Sequence, residues 1–389
     1  VNGLVDSPVL SLRAALTIGA TRVLVLLVGA TAVMCIGTWP PPVAEAVWRL
    51  SSHELVNLLA RWDTYYYYSI ATEGYRWDPA VFSHQNVVFF PLYPALMRVL
   101  GAALGGHPMF AALLISLAAF AAAMTMLSRL VRLEMGDKYV WPVLLLMSTF
   151  PYAFFFSVAY TESLFLLLSV SAFYFMRRAR WIPAAGAALL TGLTRPNGFW
   201  LAAPLAWIAL SEGYEHASDD RTERLRDAWV ALGVACLPVV GMALYSIFLW
   251  VRFSDALAWM HGQAAWGLPL LGRHSAPDPV DLPGIPRIKI TEVIAWLGNI
   301  AAFGTAVYAI SPVWRRFGAA YGLWIAVNIF PPVATHLFIS LGRFISVLFP
   351  LFFWLVPYIS PPRLRQVAAA FFVGQLVLAA WFFLWRPVV

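Results

Sequence analysis

Residues 51–101 read SSHELVNLLARWDTYYYYSIATEGYRWDPAVFSHQNVVFFPLYPALMRVLG, between apolar runs at about 14–39 and 108–128. Their pattern is that of a loop lying along a membrane surface. Val47, Leu50, Leu55, Leu58 and Leu59 give the segment Val47–Ala60 the spacing of an amphipathic helix in the interface. A second short helix is predicted to start near Asp63, a residue type that caps or complements a helix N-terminus. Pro91-Leu92-Tyr93-Pro94 then opens an apolar stretch to about Leu104 that returns the chain to the membrane.

Composition says what surrounds this loop. Of 389 residues, 61% are hydrophobic and 12% charged, with a mean hydropathy of +0.74. Soluble domains carry about 25% charged residues, so a chain this poor in charge needs lipid as its solvent. The 18 tryptophans suit the headgroup belts. The net charge of +7 sits in short loops between apolar runs, which reads as a topology signal and excludes nucleic acid as the partner. Cys35 and Cys236 lie inside apolar runs, form no CxxC pair, and are expected to be small core residues.

The apolar runs fall at about 14–39, 108–128, 139–158, 161–176, 182–193 with 198–210, 228–250, 291–311, 319–339, 344–359 and 367–385. Each long run approaches the ~20 residues that cross a bilayer. The pair 182–193 and 198–210 is short and interrupted by Thr194-Arg195-Pro196-Asn197, which predicts a hairpin with a polar tip inside a protein cavity. Counting it as two spans, the expectation is an all-α polytopic membrane protein with about eleven spans in one integral membrane domain, 1–389. The first run is too long for a signal-peptide core and is expected to stay as a first helix.

With the N-terminus inside, 15 of the 26 basic residues lie at inner ends, among them Arg13, Arg22, Arg177, Arg178, Arg315 and Arg316. Two long outer loops, about 40–107 and 251–290, hold most of the rest. Segment 211–227 is a mixed-charge inner loop without evident chemistry. The expected location is a bacterial cytoplasmic (inner) membrane, crossed many times, with the site facing outside. Val1 fits a bacterial alternative start codon.

Within the first outer loop Asp63 stands between Trp62 and four tyrosines. A carboxylate in such a wall can accept a proton from a sugar or lipid hydroxyl. The competing reading is a helix cap paired with Arg61.

The residues around it carry a resemblance. Arg61-Trp62-Asp63, Ile70-Ala71, Gly74-Tyr75, Phe89-Phe90-Pro91 and Pro94 resemble the first luminal loop of the PIG-V family of mannosyltransferases. In the same order follow Tyr160-Thr161-Glu162-Ser163-Leu164-Phe165, Arg195-Pro196-Asn197-Gly198, Gln263 with Trp266, and Arg343-Phe344 before Phe349-Pro350. The resemblance spans about 60–355. It implies a GT-C-type fold, a polyprenyl- or dolichyl-phosphate sugar donor, inversion at the anomeric carbon, and Asp63 as the base. Eukaryotic members have His where this chain has Tyr66, a departure on the side expected to face the acceptor.

The remaining candidates are weighed residue by residue. Glu162 is expected to orient the Asp63 region or hold a sugar hydroxyl, or else to complement a helix dipole. Arg195 suits a lipid phosphate, with Glu162 as the alternative partner. His336 and Arg343 flank an outer turn and are expected to bind the departing phosphate; headgroup snorkelling is the alternative for Arg343. Arg61, Trp62, Tyr66, His84, Asn86, Asn197, His261, Gln263 and Trp266 complete the candidate sugar and acceptor contacts. The Pro-rich stretch 276–286 is expected to cover the groove.

No two carboxylates are spaced as D-x-D, and the chain has neither P-loop nor G-x-G-x-x-G. No metal or other cofactor is expected. The reading is an enzyme, a polyprenyl-phosphate-mannose-dependent mannosyltransferase acting on a glycolipid acceptor. A lipid or sugar transporter is the alternative from another class; it lacks a half-to-half repeat and would place its charges near the midplane.

Overall fold

The structure is a computed structural model describing residues 11–38, 54–81, 83–211, 220–266, 290–334 and 341–386. Among these residues every regular element is helical. Helix α1 (Leu12–Ile36) is capped by Ser11, whose hydroxyl accepts from the Ala14 amide at 3.2 Å. The first loop carries α2 (Glu54–Asn57), α3 (Thr64–Thr72) and α4 (Leu92–Ala103). The predicted starts near Asp63 and Pro91 are therefore observed; of the predicted amphipathic helix only the turn α2 is seen, and 39–53 lies outside the described residues.

Helices α5 (Pro108–Glu134), α6 (Val140–Thr149) and α7 (Glu162–Arg177) follow, then α8 (Trp181–Gly192), α9 (Ala202–Leu210) and α10 (Arg221–Phe253). After the turn α11 (Ala258–His261) come α12 (Ile290–Phe317), α13 (Ala319–Ala334), α14 (Leu341–Ser346), α15 (Pro350–Leu355) and α16 (Pro361–Phe383). Helix α7 is apolar on nearly every face and is buried by α5 and α8. Helices α8 and α9 pack on α10, α12 pairs with α13, and α1 pairs with α16.

Five described helices are long and apolar enough to cross a membrane, six if the bent pair 137–157 counts as one span. Of the expected eleven spans, these five or six are the ones that meet the length and composition of a span among the described residues. The run at 139–158 bends by 82° at Pro151. That at 344–359 breaks into the short helices α14 and α15 around Pro350. Helix α10 begins at Arg221, so the last part of the segment read as an inner loop, 221–227, is helix. Cys35 and Cys236 are exposed, not in the core.

Arg22 is a further correction. It lies inside α1, buried, with its guanidinium on the carbonyls of Ser148 and Ala153 and on the Gln375 amide oxygen. Gln375 in turn donates to the carbonyl of Phe150 at 3.0 Å. The bend at Pro151 frees these acceptors, and α1 and α16 supply the donors that a bilayer cannot. What reads as a topology charge is a clamp on the chain leading to α7.

At the break between α8 and α9 the chain folds back on the end of α8. A Cβ on Gly198 would overlap the Thr191 carbonyl, so only glycine permits the return. The amide of Leu92 donates to the Leu193 carbonyl at 3.1 Å, holding this tip beside the first loop.

Candidate functional site

Arg61 fixes the loop from which the site is built. It is 1% exposed, donates to the carbonyls of Asn57 and, at 2.9 Å, Phe383, and lies over the Trp385 ring. Burial pulls its guanidinium down to about 10, with Glu54 opposing. It faces neither Asp63 nor open space, so its expected sugar contact and the Arg61–Asp63 pair are both replaced by an anchor to the end of α16.

Trp62 takes a left-handed φ of 53°, rare for a bulky residue. Its ring packs 5.3 Å from that of Trp385. The turn delivers the Asp63 amide to the Tyr160 hydroxyl at 3.1 Å. Asp63 occupies the N-cap position of α3, yet its side chain caps nothing. The carboxylate instead accepts from Arg343 Nη1 at 2.5 Å through Oδ2.

Arg343 continues the connection inward. Its Nε donates to Glu162 Oε1, which also accepts from Arg195 Nη1 at 2.7 Å. The four charges thus alternate in a row, Asp63–Arg343–Glu162–Arg195, with side-chain exposures of 22%, 10%, 0% and 6%. Their formal charges cancel, so burial strands no net charge. Aromatic faces line the row: Arg343 lies 4.5 Å from the Tyr160 ring and 5.3 Å from Phe155, and Arg195 lies 5.0 Å from Phe344. Gly342 makes this placement possible, since a Cβ there would overlap the Tyr152 ring. Its amide donates to Asn299 at 2.9 Å.

Only the Asp63 end opens outward. Neither Asp63 Oδ1 nor Arg343 Nη2 has a hydrogen bond among the described residues, and neither is a buried orphan. Glu162 Oε2 is one, fully buried and without a partner among them. Tyr66 stacks on Phe89 at 4.8 Å, and burial, then Asp63, raises its phenol. Burial pushes Tyr67 up to about 12, against Arg343. Both phenols stay protonated at working pH and remain donors.

The other candidates scatter. Glu162 is sealed from any sugar; it is the first residue of α7, where a carboxylate complements the helix dipole, and it holds both Arg343 and Arg195. Asn86 is buried and spends its amide on the Arg76 amide at 2.9 Å, Gly74 carbonyl at 3.0 Å and Ser69 hydroxyl at 3.2 Å, so it staples the loop instead of meeting a sugar. Asn197 donates to Asn328 at 2.7 Å near the tip. His84 is exposed. His261 pairs with Asp255 at 2.8 Å and lines a separate cavity of about 360 Å³ with Trp77 and Gln85, whereas Gln263 does not line it. His336, the side chain of Trp266 and the stretch 276–286 lie outside the described residues. Among those described, no three metal-ligating side chains converge.

Tyr160, Phe155 and Gly342 were not singled out by residue type. Tyr160 had a local signal, two positions before Glu162. Asp255 and Trp385 had none, because their partners come from distant sequence.

A family model described as mannosyltransferase (PIG-V) matches residues 31–251, more than half of the chain. Arg343 lies beyond that match. Among solved structures, the chain is similar to the oligosaccharyltransferase of Archaeoglobus fulgidus. For its apo form the identity is 14%, with 95% of this chain and 56% of that one covered and a TM-score of 0.48. For its complex with zinc and sulfate the identity is 12%, with 93% and 53% covered and a TM-score of 0.45. The chain spans about half the length of these proteins. No curated protein matches it. The chain belongs to the PIG-V mannosyltransferase family.

Proposed function

We propose that this member of the PIG-V mannosyltransferase family is a GT-C-type inverting enzyme that moves mannose from polyprenyl phosphate to a hydroxyl of a glycolipid. The reaction would take place at the outer face of a bacterial cytoplasmic membrane. One observation carries the reading. A carboxylate that caps no helix stands half-open at the end of a buried ion row, oriented through one oxygen and free at the other.

In this reading Asp63 Oδ1 accepts the proton of the acceptor hydroxyl as that oxygen attacks the anomeric carbon. The bond from that carbon to the phosphate oxygen breaks on the opposite face, and polyprenyl phosphate leaves with the electron pair. A single displacement inverts the centre, by the geometric logic of inverting glycosidases. Arg343 Nη1 fixes the carboxylate, and in this reading its Nη2 would offset negative charge on the donor phosphate. Arg195, deeper in the row, neutralises Glu162 and keeps Arg343 aimed at Asp63.

The test is turnover by purified protein in detergent. Polyprenyl-phosphate mannose should be consumed with release of polyprenyl phosphate, chelator should leave the rate intact, and GDP-mannose alone should be inert. Turnover of GDP-mannose would overturn the donor. Substrate movement in sealed vesicles without any turnover would favour a transporter.

A further inference from the structure

We infer that the cavity between the first and second outer segments binds a neutral sugar ring of the acceptor, remote from the hydroxyl that reacts. This rests on the transfer reading above for which substrate it serves, but not for what it binds. One wall comes from the loop after α3, with Trp77, Val81 and Ser83, and the other from the segment around α11, with Asp255, His261 and Ala265. At about 360 Å³ it falls in the range of small-molecule sites, about 300–1,000 Å³.

The lining is two-sided, as a sugar is. A pyranose presents carbon–hydrogen faces and a rim of hydroxyls. The Trp77 ring with Val81 and Ala265 offers the first an apolar wall. Asp255 and His261 offer the second a bonded pair with capacity to spare. Asp255 Oδ2 meets His261 Nδ1 at 2.8 Å and its Oδ1 accepts the Leu257 amide at 3.0 Å. That fixes the imidazole and leaves Nε2 for a ligand hydroxyl. The pair would be superfluous for an alkyl chain, and the carboxylate would repel a phosphate.

The same chemistry assigns the occupant to the acceptor. A sugar on a lipid phosphate must present its anomeric carbon at Asp63 and its phosphate to cations. None of the four residues of the ion row lines this cavity, and its described lining holds no lysine or arginine. The cavity nevertheless touches the same framework. Gly262 packs on Val87 and Val88, and the next residue, Phe89, carries the stacked Tyr66 ring. A sugar bound there lies across that segment from the site, where an acceptor longer than one residue would extend.

Saturation-transfer NMR with methyl α-mannoside tests the site on the full chain in a sugar-free detergent. Wild type should give a signal at millimolar ligand, Trp77→Ala should weaken binding about fivefold, and Ala265→Trp, which fills the space, should abolish it. Asp63→Asn should bind the mannoside as wild type does. No signal from wild type, a signal that survives Ala265→Trp in a protein with unchanged elution and melting, or one lost in Asp63→Asn would overturn the site. In turnover with polyprenyl-phosphate mannose and an α-mannoside acceptor of at least two rings, Ala265→Trp should raise that acceptor's KM about tenfold with the donor's KM unchanged. A raised donor KM would reassign the cavity to the donor. Mannoside binding in a protein that turns over no lipid-linked sugar would refute the transfer reading and leave the sugar site standing.

Discussion

Replacing Glu162 by Gln keeps its shape and removes the one negative charge shared by two buried arginines. In the native row Glu162 Oε1 accepts from both Arg343 and Arg195, and no part of the side chain reaches solvent. After the change, two guanidiniums share one carboxylate, that of Asp63, and one positive charge is left buried. Removing one partner of a buried pair costs about 3–5 kcal/mol. The amide oxygen can still accept a hydrogen bond, so the lower end, about 3 kcal/mol, is expected. Arg195→Met alone strands Glu162 less completely, because Arg343 still holds it. The double variant Glu162→Gln with Arg195→Met restores neutrality, with Asp63 and Arg343 as the remaining pair. It should be more stable than the sum of the single losses by about 2 kcal/mol, within the range for residues in one network. Denaturant titration of the four proteins in detergent closes the cycle. Coupling below about 0.5 kcal/mol, the value expected of distant sites, would show that the two side chains do not share a buried pair.

Two further outcomes follow from the geometry. Gly342→Ala should push Arg343 off its place through the Tyr152 ring and depress turnover, and Tyr152→Ala in the same chain should restore part of it; equal activity of Gly342→Ala and wild type would remove the glycine from the argument. Cysteines placed at His84 and His261 should react with an impermeant thiol reagent from outside intact cells, and those at Arg178 and Arg316 only after permeabilisation; labelling in the opposite sense would place the site on the wrong face for the proposed donor.

The legible parts of this chain are those whose signals are local. The starts of α3 and α4 fall at Asp63 and Pro91, as residue type predicts, although the Asp63 carboxylate turns to Arg343 and caps nothing. Asp63 stands out through its neighbours. The ion row was legible as members but not as partners, since Asp63 and Arg343 are 280 positions apart. Arg22 misleads because an arginine in the first half of an apolar run has the same signature whether it reaches a membrane face or a buried clamp. The run at 344–359 misleads because hydropathy does not register the break that divides it into α14 and α15 around Pro350. Asn86 is a loop amide whose donors and acceptors only the folded loop can assign.

The most direct test of the central claim is the single-turnover rate of Asp63→Asn with polyprenyl-phosphate mannose. The amide keeps the size of the carboxylate and can still accept from Arg343, but it cannot take the acceptor's proton. Transfer should fall by about 10²–10⁴, the loss typical of a missing general base, with donor affinity little changed. A rate near that of wild type would contradict the account and leave Asp63 as a structural partner of Arg343.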